Sequence, residues 1–181
     1  MLRTTQPVVF VSNFGTVTFQ AEVLRTFTRF QQTGKAKPEA GGQLFASFRP
    51  GHVDVVLATE PTSGAKCGRY FFRPNRQEEQ REISAAFRKH LHFIGDWHTH
   101  PEPEPTPSGL DIAKAKEIFE RSAHELRGLL LVVVGTAEPT RGMWAAWVTA
   151  SGISPMQNGD HSRSQRAQVK ASVLHIVGDE P

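Results

Sequence analysis

The strongest constraint on the fold is an uninterrupted apolar run from Leu129 to Val134. The run is far shorter than the roughly 20 residues that a membrane-spanning helix needs, and its leucines and valines are typical of a strand buried on both faces. Such a strand must be covered on each side of its sheet. We therefore expect a sheet with helices packed against its faces.

The hydrophobic periods around this run alternate between helix and strand. Helices are predicted over Gln20–Gln32, Glu78–Leu91 and Leu110–Phe119, and strands over Val8–Val11, Thr16–Phe19, Gln43–Phe48, Val53–Ala58, Arg69–Arg73, His92–His98 and Met143–Val148. In the second helix we expect Ile83, Phe87 and Leu91 to form one apolar face. This order predicts a mixed α/β fold, a single domain with a curved mixed β-sheet flanked by helices.

The length of 181 residues is typical of one domain. After Ser151 the composition shifts to Ser, Gln, Asn and Arg, and we expect the domain to span residues 1–153 and residues 154–181 to form a C-terminal tail. Within that tail, Val173–Val177 is a candidate terminal strand.

Composition also bears on location and partners. The chain has no run of about 18 apolar residues and no start typical of a signal peptide, so we expect a cytoplasmic protein that does not enter a membrane. The formal net charge is +3, and the basic residues are dispersed along the chain. Stacking aromatics are missing from the basic cluster Arg163–Lys170, so nucleic acid is not an expected partner.

Two histidines and an aspartate follow a strand-like segment at a spacing that suits a metal ion. His98 and His100 alternate along the strand, so both imidazoles point to the same face. Asp111 lies in the first turn of the helix predicted to start near Ser108, and a loop that turns back would bring its carboxylate over the strand end. Two histidines and one carboxylate leave a fourth position open, which a catalytic zinc needs for water.

Each part of this pattern also has a purely structural interpretation. Ser108 followed by Asp111 is typical of a helix start, where a serine caps and an acid lies near the positive end of the helix dipole. An isolated HxH pair is commonly two surface histidines, and the second such pair, His90 and His92, has no acidic residue at a matching distance. Because Cys67 is the one cysteine, any metal must use nitrogen and oxygen ligands.

The whole pattern is more specific than its parts. The order HxHP, six residues, serine, two residues and aspartate reproduces the motif of the JAMM, MPN-type or JAB-domain zinc metalloproteases, and the chain resembles that family over roughly Val9–Val148. The family also has an upstream glutamate near the start of a strand, commonly followed by glycine. The segment EAGGQLF, which starts at Glu39, occupies that place.

The resemblance implies a role for each matching residue. His98, His100 and Asp111 match the ligands of one catalytic zinc ion, Glu39 matches the general base, and Ser108 matches the residue that steadies the tetrahedral intermediate. A zinc-activated water then attacks the amide, so that no protein nucleophile is needed.

The segments EAGGQLF and GDWHTHP look similar to the small bacterial deconjugating proteases of the antiphage operons called CBASS. This similarity implies an isopeptidase that hydrolyses the amide after the C-terminus of a ubiquitin-like protein, or after the conjugated C-terminal tail of a CD-NTase-type enzyme. The Pro-rich loop Pro101–Pro107 and the basic, aromatic segment Cys67–Arg73 are candidate contacts for such a folded partner. A peptidase that trims sulfur-carrier proteins or releases cysteine is the nearest alternative.

Other classes fit less well. A non-catalytic MPN-type scaffold binds partners without hydrolysis, but such scaffolds characteristically lack the ligands that this chain retains. Barrel amidohydrolases also use HxH, but a closed (β/α)₈ barrel typically needs about 250 residues. Zinc deaminases need HxE and a PCxxC pair, which a chain with Cys67 alone does not have.

Overall fold

The computed structural model describes residues 6–122 and 124–159. Its helices and strands are, in chain order, β1 (Val8–Ser12), β2 (Gly15–Phe19), α1 (Ala21–Phe30), β3 (Gly41–Arg49), β4 (His52–Ala58), β5 (Lys66–Gly68), β6 (Phe71–Arg73), α2 (Arg76–Phe87), β7 (His92–Thr99), α3 (Gly109–Arg121), β8 (Leu129–Val134), β9 (Met143–Thr149), β10 (Gly152–Pro155) and β11 (Gln157–Asn158).

Within these residues, nine strands form one sheet in the order β10-β9-β8-β7-β3-β4-β2-β1-β11, and β5 pairs with β6 in a separate hairpin. Two neighbouring pairs, β2 with β4 and β7 with β8, are parallel, and the other pairs in the sheet are antiparallel. Parallel neighbours need a crossover, which α3 provides between β7 and β8. The predicted mixed α/β fold is confirmed.

One face of the sheet packs against α1. This helix buries Val23, Leu24 and Phe27, each at most 1% exposed. The ring of Phe27 lies 5.0 Å from that of Trp97, between centroids, and Trp97 Nε1 donates to the main-chain oxygen of Thr59 at 3.0 Å. Each fully buried large apolar side chain contributes roughly 1.5–3 kcal/mol. The apolar core lies on this face, and Trp97 packs inside it.

The other face carries α2 and α3, which contact β7, β8 and β9. Their packing is more polar: the fully buried residues of α2 are Glu79 and Ala86, and α3 has none among its described side chains. The prediction that Ile83, Phe87 and Leu91 form one apolar face of α2 is wrong, because Phe87 is 66% exposed. The helix ends at Phe87, and Leu91 N already donates back to Ala86 O at 3.1 Å.

A glycine decides which residues of β7 reach each face. Gly95 has a φ of 145°, and a Cβ there would lie 2.0 Å from the main-chain oxygen of Leu130. The pairing register between β3 and β7 shifts at this point. Ile94 and Trp97 consequently join the core on the α1 side. His98 faces the opposite side, where it lines a cavity together with residues of α3.

The sheet continues beyond residue 153, where we expected the domain to end. Met156 is buried, and β11 pairs with β1 through Phe10 and Asn158. The rest of the expected tail, with the candidate strand Val173–Val177, lies outside the described residues. Among the residues that the structure describes, no helix combines the length and the apolar character needed to cross a membrane.

Candidate metal centre

Three side chains from two elements converge at the carboxyl end of β7. His98 lies in β7, His100 directly follows it, and Asp111 lies in the first turn of α3. The Nε2 atoms of the two histidines are 3.2 Å apart. Asp111 Oδ2 lies 3.5 Å from Nε2 of His98 and 3.4 Å from Nε2 of His100. Among the described residues, this is the group of three that could hold a metal ion.

The size of this triangle suits zinc. Donor atoms that lie 2.0–2.1 Å from a tetrahedral ion are separated from one another by roughly 3.3 Å. The three edges of 3.2, 3.4 and 3.5 Å are of this size. Two imidazole nitrogens and one carboxylate oxygen are also a donor set that zinc accepts in hydrolases, with the fourth position left for water.

The start of α3 fixes the Asp111 carboxylate. The backbone N–H and the hydroxyl of Ser108 donate to Asp111 Oδ2 at 2.8 and 2.6 Å, and Asp111 N donates to Ser108 Oγ at 3.2 Å. This reciprocal arrangement is a capping box. The helix start that we considered as an alternative to a site is therefore present, and it also orients the third candidate ligand.

The electrostatics favour the protonation state that ligation requires at His98 and Asp111, but oppose it at His100. Burial lowers the pKa of His98, which keeps its imidazole neutral. Burial alone would raise the pKa of Asp111, but the contacts with His100, His98 and Ser108 outweigh it and hold the pKa well below its ordinary range. Contact with Asp111 raises the pKa of His100 against the effect of burial. Metal ligation needs the carboxylate ionised and both imidazoles neutral, so binding displaces protons.

Glu39 faces this triangle from the start of β3. The residue is 8% exposed and lines the same cavity as His98 and Asp111. Burial, reinforced by the negative charge of Asp111, raises the pKa of Glu39 to about 7, although His100 and Lys114 oppose the shift. A carboxyl group that titrates near neutral pH can both accept and return a proton.

The backbone around Glu39 is held by two neighbouring strands, β5 and β7. Glu39 N donates to Gly68 O at 2.8 Å, and Ala40 exchanges hydrogen bonds with the buried Thr99 at 2.8 and 3.0 Å. A Cβ on Gly41 would lie 2.6 Å from the main-chain oxygen of Trp97, so this approach requires a glycine. Sequence reasoning gave no role to Thr99, although its place between the two histidines was a usable signal.

Asp96 is a second residue of the motif to which sequence reasoning gave no role. It lies two positions before His98, is half-buried, and lines the cavity beside the candidate ligands. Burial, reinforced by the charge of Glu79, raises the pKa of Asp96 to about 7, although Arg76 opposes the shift. The distances from Asp96 to charged groups such as Arg76 depend on how the helices pack over the sheet, and no local sequence pattern reveals that packing.

The second HxH pair does not join the site. His90 lies in the turn after α2 with a φ of 59°, and the His92 ring packs against Phe48 and Phe87, with centroids 5.5 and 6.0 Å away. Cys67 is exposed overall, but partial burial of its thiol, reinforced by the negative charge of Glu39, raises the pKa of the thiol.

A family model described as prokaryotic homologs of the JAB domain matches residues 20–149. The chain belongs to this JAB-domain family. The match covers the capped start of α3, strand β7 with the two histidines at its end, and the segment around Glu39, so the resemblance inferred from these residues is confirmed.

Curated relatives of this JAB-domain protein carry a more specific name. A CD-NTase/cGAS isopeptidase from Pseudomonas aeruginosa is 34% identical over 122 residues, which cover 65% of this chain and 75% of the relative. A protein of the same name from Escherichia coli is 30% identical over 108 residues, covering 58% and 69%. Another from Vibrio cholerae is 29% identical over 123 residues, covering 66% and 76%.

Solved structures resemble the JAB-domain chain in fold alone. A protein from Desulfitobacterium hafniense, determined in solution, superposes with a TM-score of 0.53 at 15% sequence identity. The match covers 77% of this chain and 87% of that protein.

Proposed function

We propose that this JAB-domain protein is a zinc-dependent isopeptidase that releases a folded protein from a conjugate formed through its C-terminus. The observation that carries the proposal is the triangle of His98, His100 and Asp111 opposite the buried carboxyl group of Glu39. The CD-NTase/cGAS isopeptidases that the chain resembles support a conjugated CD-NTase-type enzyme as the substrate. Deconjugation in antiphage defence is then the cellular role.

The chemistry needs one ion and one base. When bound by the three ligands, zinc polarises the scissile carbonyl and lowers the pKa of a water ligand to about 7. Glu39 takes a proton from the attacking water and delivers it to the leaving nitrogen as the C–N bond breaks. The products are a free carboxylate and a free amine, and the pKa of about 7 suits Glu39 to both proton transfers.

Ser108 is proposed to donate a hydrogen bond to the oxygen that becomes negative during the attack. Its hydroxyl donates to Asp111 Oδ2 at 2.6 Å in the structure, so it must rotate to reach the substrate. Its backbone N–H bond to the same oxygen, at 2.8 Å, can hold the carboxylate meanwhile. Removing one donor to such an oxygen typically lowers the rate by about 10²–10³-fold.

The hairpin of β5 and β6 is the proposed docking surface for the substrate tail. Gly68 contacts the backbone of Glu39, and Phe72 lines the cavity beside the ligands. Tyr70 is 76% exposed, and the guanidinium of Arg69 lies over its ring. An extended C-terminal tail that adds a strand to this hairpin would gain main-chain hydrogen bonds without demanding a particular side chain.

The test uses a CD-NTase whose C-terminal carboxyl is joined by an isopeptide bond to a lysine side chain. Purified protein should release two products whose masses sum to that of the conjugate plus one water, as read by intact mass spectrometry. Glu39→Gln should keep its zinc but lose at least about 10³-fold in rate, because it removes the base and not a ligand. The double variant Arg69→Glu and Arg73→Glu should weaken substrate capture and leave the rate of the bound complex nearly unchanged.

Several outcomes would contradict the proposal. Release of a shortened CD-NTase would place the cut elsewhere in the tail. A Glu39→Gln rate above a tenth of that of the wild type would assign the base to another residue. Cleavage of sulfur-carrier fusions in preference to the CD-NTase conjugate would favour the alternative peptidase, and binding of the conjugate without cleavage would favour a scaffold.

A further inference from the structure

A groove runs from the metal centre between α2 and α3. It consists of a cavity of about 380 Å³ between the two helices and a narrower one of about 100 Å³ beside the candidate ligands. The two cavities share five residues from the helices and the sheet floor: Arg76, Glu79, Asp96, Lys114 and Ile118. We call this continuous feature the α2–α3 groove. The proposed chemistry uses only its narrow end, where Glu39, His98 and Asp111 lie.

Most charged groups in the groove already have a partner. Arg76 Nη1 donates to Glu79 Oε2 at 2.9 Å, and Arg121 Nη1 donates to Glu117 Oε1 at 2.6 Å. Lys114 is exposed on the α3 side, where its charge acts on Glu39. The charges within each pair offset each other, and Lys114 remains as a positive charge on the α3 side of the groove.

The polar groups of the floor are partnered as well, with one exception. In the amide orientation that satisfies its neighbours, Gln43 donates to Glu79 O at 3.0 Å and to Glu82 Oε2 at 3.3 Å. No hydrogen bond or close ion pair reaches the carboxyl group of Asp96 from any described residue, and Arg76 acts on it only at longer range. This carboxyl group is half-buried and borders both cavities, so a ligand in the groove can supply the hydrogen-bond donor that the described residues do not.

The position of Asp96 defines what it can contact in a substrate. Asp96 and His98 are two residues apart on β7 and both line the narrow cavity. A strand rises about 3.3 Å per residue, which separates the two by about 7 Å. An extended substrate chain whose scissile amide lies at the metal covers the same length in about two residues.

We propose that the α2–α3 groove binds one arm of the substrate and that Asp96 is a specificity-determining residue, which pairs with a lysine or arginine about two residues from the scissile amide. This inference rests on the proposed function of the metal centre. The apolar walls formed by Leu129, Leu131 and Val148 accommodate the aliphatic stem of such a side chain. The carboxylate of Asp96 then accepts from its cationic head.

The experiment measures binding and not turnover, so it does not depend on hydrolysis. The zinc-loaded Glu39→Gln protein is titrated with fluorescent ten-residue unstructured peptides that carry a single Lys, Gln or Glu at successive positions. One position should favour Lys over Gln by about tenfold, since a charged hydrogen bond in a partly buried site contributes at least that ratio. Adding Asp96→Asn should reduce the preference to below about threefold.

A matched control separates recognition from folding. Glu117→Gln also removes a carboxylate from the groove, but one that Arg121 already engages, so it should leave the lysine preference unchanged. Asp96→Asn should melt no lower than its parent, because it removes an unpaired half-buried charge. The inference is overturned if no position favours Lys, or if the preference survives Asp96→Asn. If the wild-type protein does not cleave the conjugate, but the peptides still bind in a way that depends on Asp96, the proposed function is refuted and this inference is not.

Discussion

The two faces of the sheet differ in the polarity and the packing of their side chains. On the α1 face, Val23, Leu24 and Phe27 are all but inaccessible to solvent, and their neighbours are apolar. On the α2–α3 face, the buried side chains include Glu79 and His98, and cavities separate the helices from the strands. Both faces belong to the same strands, so the difference arises from the side chains and not from the backbone.

This comparison shows how one domain separates stability from chemistry. The α1 face stabilises the fold by burying apolar area. A polar site on that face would take the place of apolar side chains. The α2–α3 face keeps carboxyl groups and imidazoles in places where burial shifts their pKa, and Glu39 is the plainest case. Substitutions on the two faces should therefore affect different measurements.

The largest effect on folding is expected on the α1 face. Phe27→Ala should lower the free energy of unfolding by about 3–5 kcal/mol, because it leaves a cavity in a closely packed core. Ile118→Ala on α3 should cost only about 1 kcal/mol, since that side chain is half-buried and already borders open space. Chemical denaturation of both variants measures the contrast, and equal losses would remove the distinction between the faces.

An intermediate effect is expected at Ser108, where capping and catalysis can be separated. Ser108→Ala should lower the free energy of unfolding by about 1 kcal/mol, whereas Ser108→Gly should cost only a few tenths, because glycine is a tolerable N-cap. Both variants lose the hydroxyl, so both should cleave the conjugate about 10²-fold more slowly. If both retain nearly the wild-type rate, Ser108 only caps α3.

The smallest effect is a pH-dependent change in stability from Glu39. Burial raises its pKa from 4.5 to about 7, so the folded state holds this proton more tightly than the unfolded chain does. Stability that is present below about pH 4.5 is thus lost as the pH rises through about 7. In metal-free protein, Glu39→Gln should raise the melting temperature by a few degrees at pH 8 and leave it unchanged at pH 4. Equal shifts at both pH values would contradict the burial of a charged carboxylate.

The sequence predicted the fold wherever a pattern was long enough to have a period. The apolar run Leu129–Val134 became the buried strand β8, and the three expected helices are present with shifted ends. Strands of two to four residues, such as β5, β10 and β11, have no readable period and were missed or placed only in part. The apolar face of α2 was misjudged because pairing with Arg76 allows Glu79 to be buried while Phe87 remains exposed.

The candidate site was more predictable than its surroundings. Fixed spacing in the motif brought His98, His100 and Asp111 together, since strand alternation and a helix cap are both local geometries. Glu39 could be found only through the family resemblance, because pairing between β3 and β7 brings it there from a distant part of the sequence. The role inferred for Asp96 could not be predicted. It depends on how α2 and α3 pack over the sheet, and on their providing no hydrogen-bond donor to this carboxyl group.

The most direct test of the central claim is the zinc content of the purified protein and two variants. Protein prepared without chelator should contain one zinc per chain by elemental analysis. Asp111→Asn keeps a side-chain oxygen that can accept from the Ser108 N–H. Loss of a group that only orients a ligand typically weakens metal binding about 10–100-fold, and Asp111→Asn should weaken zinc binding by more than this. His92→Ala, from the HxH pair outside the site, should keep its zinc. A zinc-free wild type, or an Asp111→Asn protein that binds zinc as tightly as the wild type, would contradict the assignment of this triangle as the metal centre.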